Sequence, residues 1–399
     1  MRVAMLHWAF PPIIGGVESH LAMLGPELVW RGHEVFLLTG SVGGREEEYS
    51  YRGVRVKRTP LMDLNTLNPR AIEEKAEDIR KELHSFIAFA RPDVIHAHNM
   101  HYFSPVHAQS LLEAAGRRGV PAVLTAHNVW DDGLWKDMLA YAGRWDAVIA
   151  VSRYIKNELA AAGYPASRLT VVYHGIDTAR FNKPEAGEEK AALARCPELA
   201  GRRVIFHPAR MSLDKGCHIS VLALDLIRKS CPDVLLVLAG PEKTVDWGRH
   251  QEGHVNFIGR LVRDLRLESH VLVRFFDWED MPYIYRAAEL CVYPSCFQEP
   301  FGLVMLESLA CGRPIVVSRA GGMPEIISDG VNGYVVEMGD YEMLARRCVH
   351  LLENRLAAGQ MGERGRQMVR QKFTKEIMCA NTLEVYRRVL AGAELEIAS

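Results

Sequence analysis

Short apolar runs alternate with helical stretches from one end of the chain to the other, and no other feature narrows the fold as far. In the first half the strand-like runs cover residues 2–7, 34–39, 54–58, 93–97, 120–125, 147–151 and 169–173. Helices are expected between them at 18–31, 69–90, 104–118 and 152–162. The first carries Leu21, Leu24 and Leu28 at helical spacing. In the second half the runs at 203–207, 234–239, 290–293 and 314–318 read as strands, as do the weaker ones at 255–258 and 270–275. Helices are expected at 217–229, 281–288, 342–354 and 374–391. Alternation of this kind predicts parallel, doubly wound α/β sheets. A chain of 399 residues is too long for one typical domain, and an apolar content of 48% supplies two large cores. The polar segment 182–199, with Gly187 inside it, reads as the link between the two domains.

Charge and cysteine usage exclude some functions. The net charge of −1 argues against binding nucleic acid or an anionic membrane over the whole surface. The eight cysteines form no Cys-x-x-Cys, and several sit in apolar runs, so they read as reduced thiols of a cytosolic protein. The apolar start is broken by His7 and then by Pro11-Pro12. It lacks a cleavage pattern and is too short to span a bilayer. The expected location is cytoplasmic, with peripheral contact at the inner membrane face left open.

In parallel sheets ligands bind beyond the carboxyl ends of the strands. His7, His98, His127 and His174 all fall at or just after such ends, and Gly15-Gly16 opens the loop between the first strand and its helix. A glycine loop there lets backbone approach a phosphate, although no G-x-G-x-x-G is present. Arg210 and Lys215 lie in the loop after residues 203–207. Together with a helix N-terminus they suit a pyrophosphate, and two solvated surface cations are the plainer reading. The richest stretch is 293–314, YPSCFQEPFGLVMLESLACGRP. Glu299 lies in its loop. Glu307 lies a turn into the following helix, beside the apolar stripe of Leu303, Leu306 and Ala310. Two carboxylates around a helix start suit a ligand bearing both phosphates and hydroxyls, such as a nucleotide-sugar. Helix-dipole capping and a paired-carboxylate hydrolase are the other readings. His96-Ala97-His98 is taken to alternate faces along a strand, which makes it a poor chelate for one metal. His98, His101 and Asp131-Asp132 make a weaker metal set on paper. Asp131-Asp132 equally suits acceptor hydroxyls or a helix cap, and Trp130, Trp135 and Tyr141 suit sugar stacking or packing.

Taken together these pieces resemble the retaining glycosyltransferases of family 4 (group 1). The resemblance rests on GGVESHLAMLGPELVWRGHEV, RPDVIHAHN, LTAHN, VVYHGID, PARMSLDKG, VYPSCFQEPFGLVMLESLACGRPIVVSRAGGMPEII and DGVNGYVV, whose order and spacing span nearly the whole chain. It implies a GT-B fold, two Rossmann-like doubly wound domains facing a central cleft. Residues 1–185 would form the acceptor-side domain and 186–372 the donor-binding domain, with 373–399 crossing back to the first. It implies transfer of a sugar from a nucleotide-sugar, a UDP-sugar in preference to GDP-mannose, to a sugar, lipid-linked or small-molecule acceptor. The anomeric configuration would be retained, with neither metal nor other cofactor. Arg210 and Lys215 would hold the pyrophosphate, Glu307 the ribose, and Glu299 the donor sugar. Backbone amides of Phe301, Gly302 and Leu303 would hold sugar and phosphates. Gly15 and Gly16 would close over the phosphates, and His127 would contact the sugar near its reacting carbon. The implied chemistry is front-face attack, in which the departing phosphate helps to take the acceptor proton and His127, Glu299, Arg210 and Lys215 assist. Two departures stand out. Residues 207–210 read His-Pro-Ala-Arg where the family often has Val-Gly-Arg, and 274–278 lack a frequent glycine, with Trp278 placed to stack or pack. A nucleotide-sugar epimerase of the same architecture is the alternative. A glycan phosphorylase lacks its lysine motif here, and an inactive binding module does not explain the matched positions.

Overall fold

The computed structural model describes residues 1–183, 188–240 and 249–392. Parts of the segment read as the interdomain link (184–187), Pro241 and residues 393–399 lie outside them. The chain divides into two compact units, Met1–His174 with the chain from Lys375, and Gly175–Thr374.

The first unit carries an eight-stranded sheet in the order β3-β4-β2-β1-β5-β6-β7-β8. Its strands are β1 (Arg2–Leu6), β2 (Glu34–Gly40), β3 (Glu47–Tyr51), β4 (Val54–Thr59), β5 (Val94–His98), β6 (Ala122–Ala126), β7 (Ala147–Ala150) and β8 (Leu169–Val171). All pairs are parallel except β3 with β4. β5, β6 and β7 are buried along their whole length, as strands covered on both faces must be. β3 reads EEYSY and forms the charged antiparallel edge, the composition that protects an edge from further pairing. The terminal helix Lys375–Leu390 buries Met378, Cys379, Leu383 and Tyr386 in this unit's core beside Leu21, Leu24 and Leu28 of helix Gly16–Trp30.

The second unit carries a fully parallel six-stranded sheet, β11-β10-β9-β12-β13-β14. Its strands are β9 (Arg203–His207), β10 (Val234–Gly240), β11 (Val271–Phe275), β12 (Leu290–Tyr293), β13 (Ile315–Ser318) and β14 (Gly333–Val336). Strand order reverses between β1 and β5 in the first sheet and between β9 and β12 in the second. Such switch points leave a crevice beyond the strand ends where crossovers diverge to opposite faces.

Several expected elements differ. Residues 255–258 are not a strand but part of helix Arg249–Asp264. Val255, Ile258 and Val262 pack on the core at helical spacing, a period too long for a four-residue window to show. The stretch 69–90 is two helices, Pro69–Glu74 and Ala76–Ala90, meeting at Lys75. β3 and β14 and the helix Arg355–Lys372 were not expected. That helix contains Gly359, Gly362 and Gly365, which lower its propensity. Two of them are required by packing. A Cβ at Gly362 would lie 2.0 Å from the Gly312 carbonyl oxygen, and one at Gly365 would lie 2.4 Å from Leu309. This close approach holds helix Leu303–Ala310, the helix of the candidate site, from behind. Among the described residues no helix is long and apolar enough to cross a membrane.

Candidate active site

In the second unit, β9 and β12 deliver two loops to the switch point, and the loops are bonded to each other. The Cys296 amide donates to the Asp214 carbonyl at 2.8 Å, and Ser295 Oγ donates to the same oxygen at 3.2 Å. Gly216 ends the first loop with φ +74°, and a Cβ there would lie 1.8 Å from the Pro294 carbonyl oxygen. Only glycine lets the loops come this close. Gly302 ends the second loop with φ +91° and opens helix Leu303–Ala310 with no side-chain cap. The first amides of a helix have no partner within it, so this end presents donors and a positive dipole.

Glu299 and Glu307 are both buried, at 5% and 7% exposure, and each accepts a hydrogen bond of 2.6 Å from a buried tyrosine. Tyr293 Oη donates to Glu299 Oε1, and Tyr285 Oη to Glu307 Oε2. The Lys215 ammonium pairs with Glu299 Oε1 and lies 4.9 Å above the Phe297 ring. Gly321 seals the other side. Its φ is +51°, a Cβ there would lie 2.1 Å from the Glu299 carbonyl oxygen, and the Gly322 amide donates to that oxygen at 2.8 Å. Burial pushes the Glu307 carboxyl up from its ordinary value, against the opposing effects of the Tyr285 hydroxyl and the Arg180 charge. Burial and Glu307 push the Tyr285 hydroxyl up, so it stays a donor. The structure thus brings Lys215, Glu299, Phe301, Gly302 and Leu303 to one corner at the ends of β9 and β12. Arg210 lies in the same β9 loop and its charge acts on Tyr293. Glu307 lies along the same helix.

Residue 209 does not take a left-handed conformation, so alanine serves where a glycine was expected. His207 is fully buried, bonded to Ser220 Oγ at 2.8 Å, and burial pulls its imidazole down to about 3. Trp278 is half-buried under the Arg180 guanidinium at 4.4 Å. A cavity of about 500 Å³ in this unit lies at the amino ends of β9 and β13, lined by Arg202, Glu289, Arg313 and Arg355, and contains none of the candidate residues.

In the first unit the histidines at strand ends form a buried cluster. His98 Nδ1 lies 3.1 Å from His127 Nε2, His127 Nδ1 lies 3.4 Å from His174 Nε2, and His174 Nδ1 lies 2.8 Å from His20 Nδ1. His7 joins through its Nδ1, 3.1 Å from the His98 carbonyl oxygen, and pairs with Glu18 Oε1 at 3.0 Å. Burial, then the charges of His20 and His174, holds His127 well below the usual imidazole range, so it is neutral. His96 and His98 lie on the same face with ring centroids 4.0 Å apart, because residues two apart on a strand point the same way. The expected alternation of faces is therefore wrong. The metal set of His98, His101 and Asp131-Asp132 does not assemble. His101 Nε2 bonds the Asn128 carbonyl, Asp131 is exposed, and Asp132 caps helix Gly133–Met138 through the Trp135 amide. Trp135 packs on His101 and Tyr164, whereas Trp130 is exposed beside Tyr102. Gly15 is extended and Gly16 begins helix Gly16–Trp30 with open space where a Cβ would be.

Sequence reasoning missed the two tyrosines, and also Glu18 and His20. A buried tyrosine needs a partner for its hydroxyl, and Tyr293, six residues before Glu299 at a strand end, carried that signal. Tyr285 and His20 come from helix positions with nothing local to mark them.

The family model described as Glycosyltransferase Family 4 matches residues 14–180, and that described as Glycosyl transferases group 1 matches residues 194–368. The chain is 28% identical to the glycogen synthase of Mycobacterium tuberculosis, over 98% of this chain and 96% of that one. It is also 28% identical to a GDP-mannose-dependent phosphatidylinositol monomannoside mannosyltransferase of Mycolicibacterium smegmatis, over 90% of this chain and 91% of that one. Among solved structures it is similar to Anabaena HepE in complex with UDP and glucose, with a TM-score of 0.79 at 21% identity, covering 97% of this chain and 99% of that one. The two family matches divide the chain between its two sheets, and it belongs to the family 4, group 1 glycosyltransferases of the GT-B fold.

Proposed function

We propose that this glycosyltransferase moves a hexose from a nucleotide-sugar, a UDP-sugar in the first instance, to a hydroxyl acceptor with retention at the anomeric carbon and without a metal. One observation carries the reading. Two buried carboxylates, each held by a tyrosine hydroxyl at 2.6 Å, lie along an uncapped helix start, with Lys215 and the Arg210 loop against it. Carboxylates held as acceptors suit sugar hydroxyls, while the helix amides and the two cations suit the diphosphate.

In this reading Glu307 takes the ribose hydroxyls and Glu299 the donor sugar. Arg210, Lys215 and the amides of Phe301, Gly302 and Leu303 take the diphosphate and stabilise it as it departs. Glu299 Oε1 already accepts from Tyr293 and pairs with Lys215, which leaves it poorly suited to attack the anomeric carbon. That favours front-face attack, in which the departing phosphate takes the acceptor proton and the protein supplies position and charge. Gly15, Gly16 and His127 keep the donor roles that the family resemblance gives them. The solved relative carries UDP and glucose, which supports uracil, and a curated relative named for GDP-mannose makes guanine the competing base. The acceptor is a sugar, a lipid-linked sugar or a small molecule bearing a hydroxyl.

The test is proton NMR of full-length protein with UDP-glucose, UDP-N-acetylglucosamine or GDP-mannose and a panel of such acceptors. An axial anomeric linkage in the product and free nucleoside diphosphate are expected. An equatorial product would overturn retention, and conversion of the donor sugar with no acceptor present would mean an epimerase. Glu307→Ala and Lys215→Ala should each lower turnover at least ~100-fold while folding normally. Wild-type kinetics in either would remove that residue from the site.

A further inference from the structure

The histidine cluster of the first unit does more than fill space. We propose that His20, His98 and His127 form a binding site for one borderline divalent metal ion of the zinc class. One nitrogen from each ring lies within 4.8 Å of the others, and all three side chains are buried.

Proton counting shows why the cluster is incomplete by itself. A neutral imidazole has one N–H and one lone pair. The rings form a chain, His98 to His127 to His174 to His20, with contacts of 3.1, 3.4 and 2.8 Å. Whichever way the protons run, the chain ends in one unshared lone pair and one unshared N–H. Those ends are His20 Nε2 and His98 Nε2, both buried and both without a hydrogen-bond partner among the described residues. Leaving such groups buried and unsatisfied is destabilising. A metal ion needs a lone pair from each ring: His20 Nε2 can supply the unshared one, and the ion takes the place of the His98–His127 hydrogen bond and of the long His127–His174 contact to gain the other two, each ring keeping its one N–H on its other nitrogen.

The spacing agrees. Two nitrogens on a tetrahedral zinc, each at about 2.05 Å, lie roughly 3.3 Å apart. His98 Nδ1 and His127 Nε2 are 3.1 Å apart, close to that spacing, and both rings turn off the line between them to face one ion. His20 comes from helix Gly16–Trp30 and meets the His127 ring edge-on at 4.9 Å between centroids. One of its nitrogens lies within 4.8 Å of the other two. Glu18 carries a buried carboxylate bonded to His7, whose other nitrogen reaches the His98 carbonyl. This contact ties helix Gly16–Trp30 through His7 to the strand that bears His98. Three nitrogen ligands with no sulfur or carboxylate in the set suit zinc, cobalt, nickel or copper and disfavour magnesium or calcium.

The transfer proposed above needs no metal, so occupancy is read by binding rather than turnover, and either claim can fail without the other. Full-length protein is stripped with chelator and titrated with Zn²⁺ against a chromophoric competitor, and separately with Co²⁺ followed by visible absorption. One equivalent per chain is expected, with Co²⁺ bands of a four- or five-coordinate nitrogen site. His20→Asn and His98→Asn should each weaken the site at least ~10-fold. No binding, or equal binding in both variants, would overturn the proposal. If a variant unfolds by circular dichroism, imidazole nitrogen spectra of the wild-type chain decide. Zn²⁺ should move the resonances of His20, His98 and His127, and binding that leaves them unmoved would overturn it.

Discussion

Tyr285 and Tyr293 are the residues on which the candidate site at the β9 and β12 loops turns, because a carboxylate buried with no hydrogen-bond donor would be driven to take up a proton. Tyr285→Phe removes the hydrogen bond of 2.6 Å that Glu307 Oε2 accepts, and should lower stability by about 1–3 kcal/mol in urea unfolding. It should also raise the Glu307 carboxyl further and weaken donor binding. Tyr293→Phe should cost less, since Lys215 and Ser295 still face Glu299 Oε1. His207 gives a pH signature. Burial holds its imidazole at about 3, whereas the unfolded chain titrates near 6.5. Below 6.5 the unfolded chain takes up a proton that the fold refuses, so this group's contribution is full above 6.5. It is lost as the pH falls towards 3, by about 1.4 kcal/mol per pH unit. His207→Asn should flatten the acid limb of stability against pH by that slope, and an unchanged slope would show that His207 protonates in the fold. These partners were the least legible part of the site. Glu299, Glu307, Arg210 and Lys215 could be singled out from their motifs, but the hydroxyl that holds Glu307 comes from Tyr285, on another helix with nothing local to mark it.

At the scale of elements, glycines decide how closely the pieces of the site approach. Gly216 needs both its left-handed φ and the space that a Cβ would fill against Pro294. Gly216→Ala should therefore lower stability by about 1–3 kcal/mol and separate the β9 and β12 loops. Donor affinity should fall with stability, measured by calorimetric titration beside urea unfolding. Gly362→Ala should act from behind, forcing helix Arg355–Lys372 away from the Gly312 turn at the end of the site helix, with a cost of about 1–3 kcal/mol from overpacking. A melting temperature equal to wild type would show that the helix can shift freely. The same glycines explain what the sequence hid. Helix 355–372 carries three glycines and few apolar residues, so its pattern is weak, and its reason for existing is tertiary. The short strand β14 follows a turn and offers only four residues. Helix 249–264 was misread because a four-residue apolar window cannot separate period 2 from period 3.6. The buried strands β1, β5, β6, β9 and β10, of five residues or more, were legible because strands covered on both faces are largely apolar.

At the scale of the whole molecule, two mainly parallel sheets each place their candidate residues at the point where strand order reverses. In the first, His7 follows β1 and His98 ends β5; in the second, Arg210 and Glu299 follow β9 and β12. The alternation of strands and helices made this architecture readable from composition and spacing alone, and the ordered motifs made the family readable. Base, sugar and acceptor were not readable, because they depend on loops whose chemistry is shared by many ligands. The most direct test is the thermal stability of the full chain with UDP, GDP, ADP and their sugars, beside Lys215→Ala. A ligand that binds only the native state at 100 times its dissociation constant adds about 2.7 kcal/mol, enough to move the melting temperature by several degrees. UDP and UDP-sugars should raise the melting temperature of the wild type and leave that of Lys215→Ala in place. No shift with any nucleotide, or an equal shift in the variant, would contradict a nucleotide-sugar site at the β9 and β12 loops.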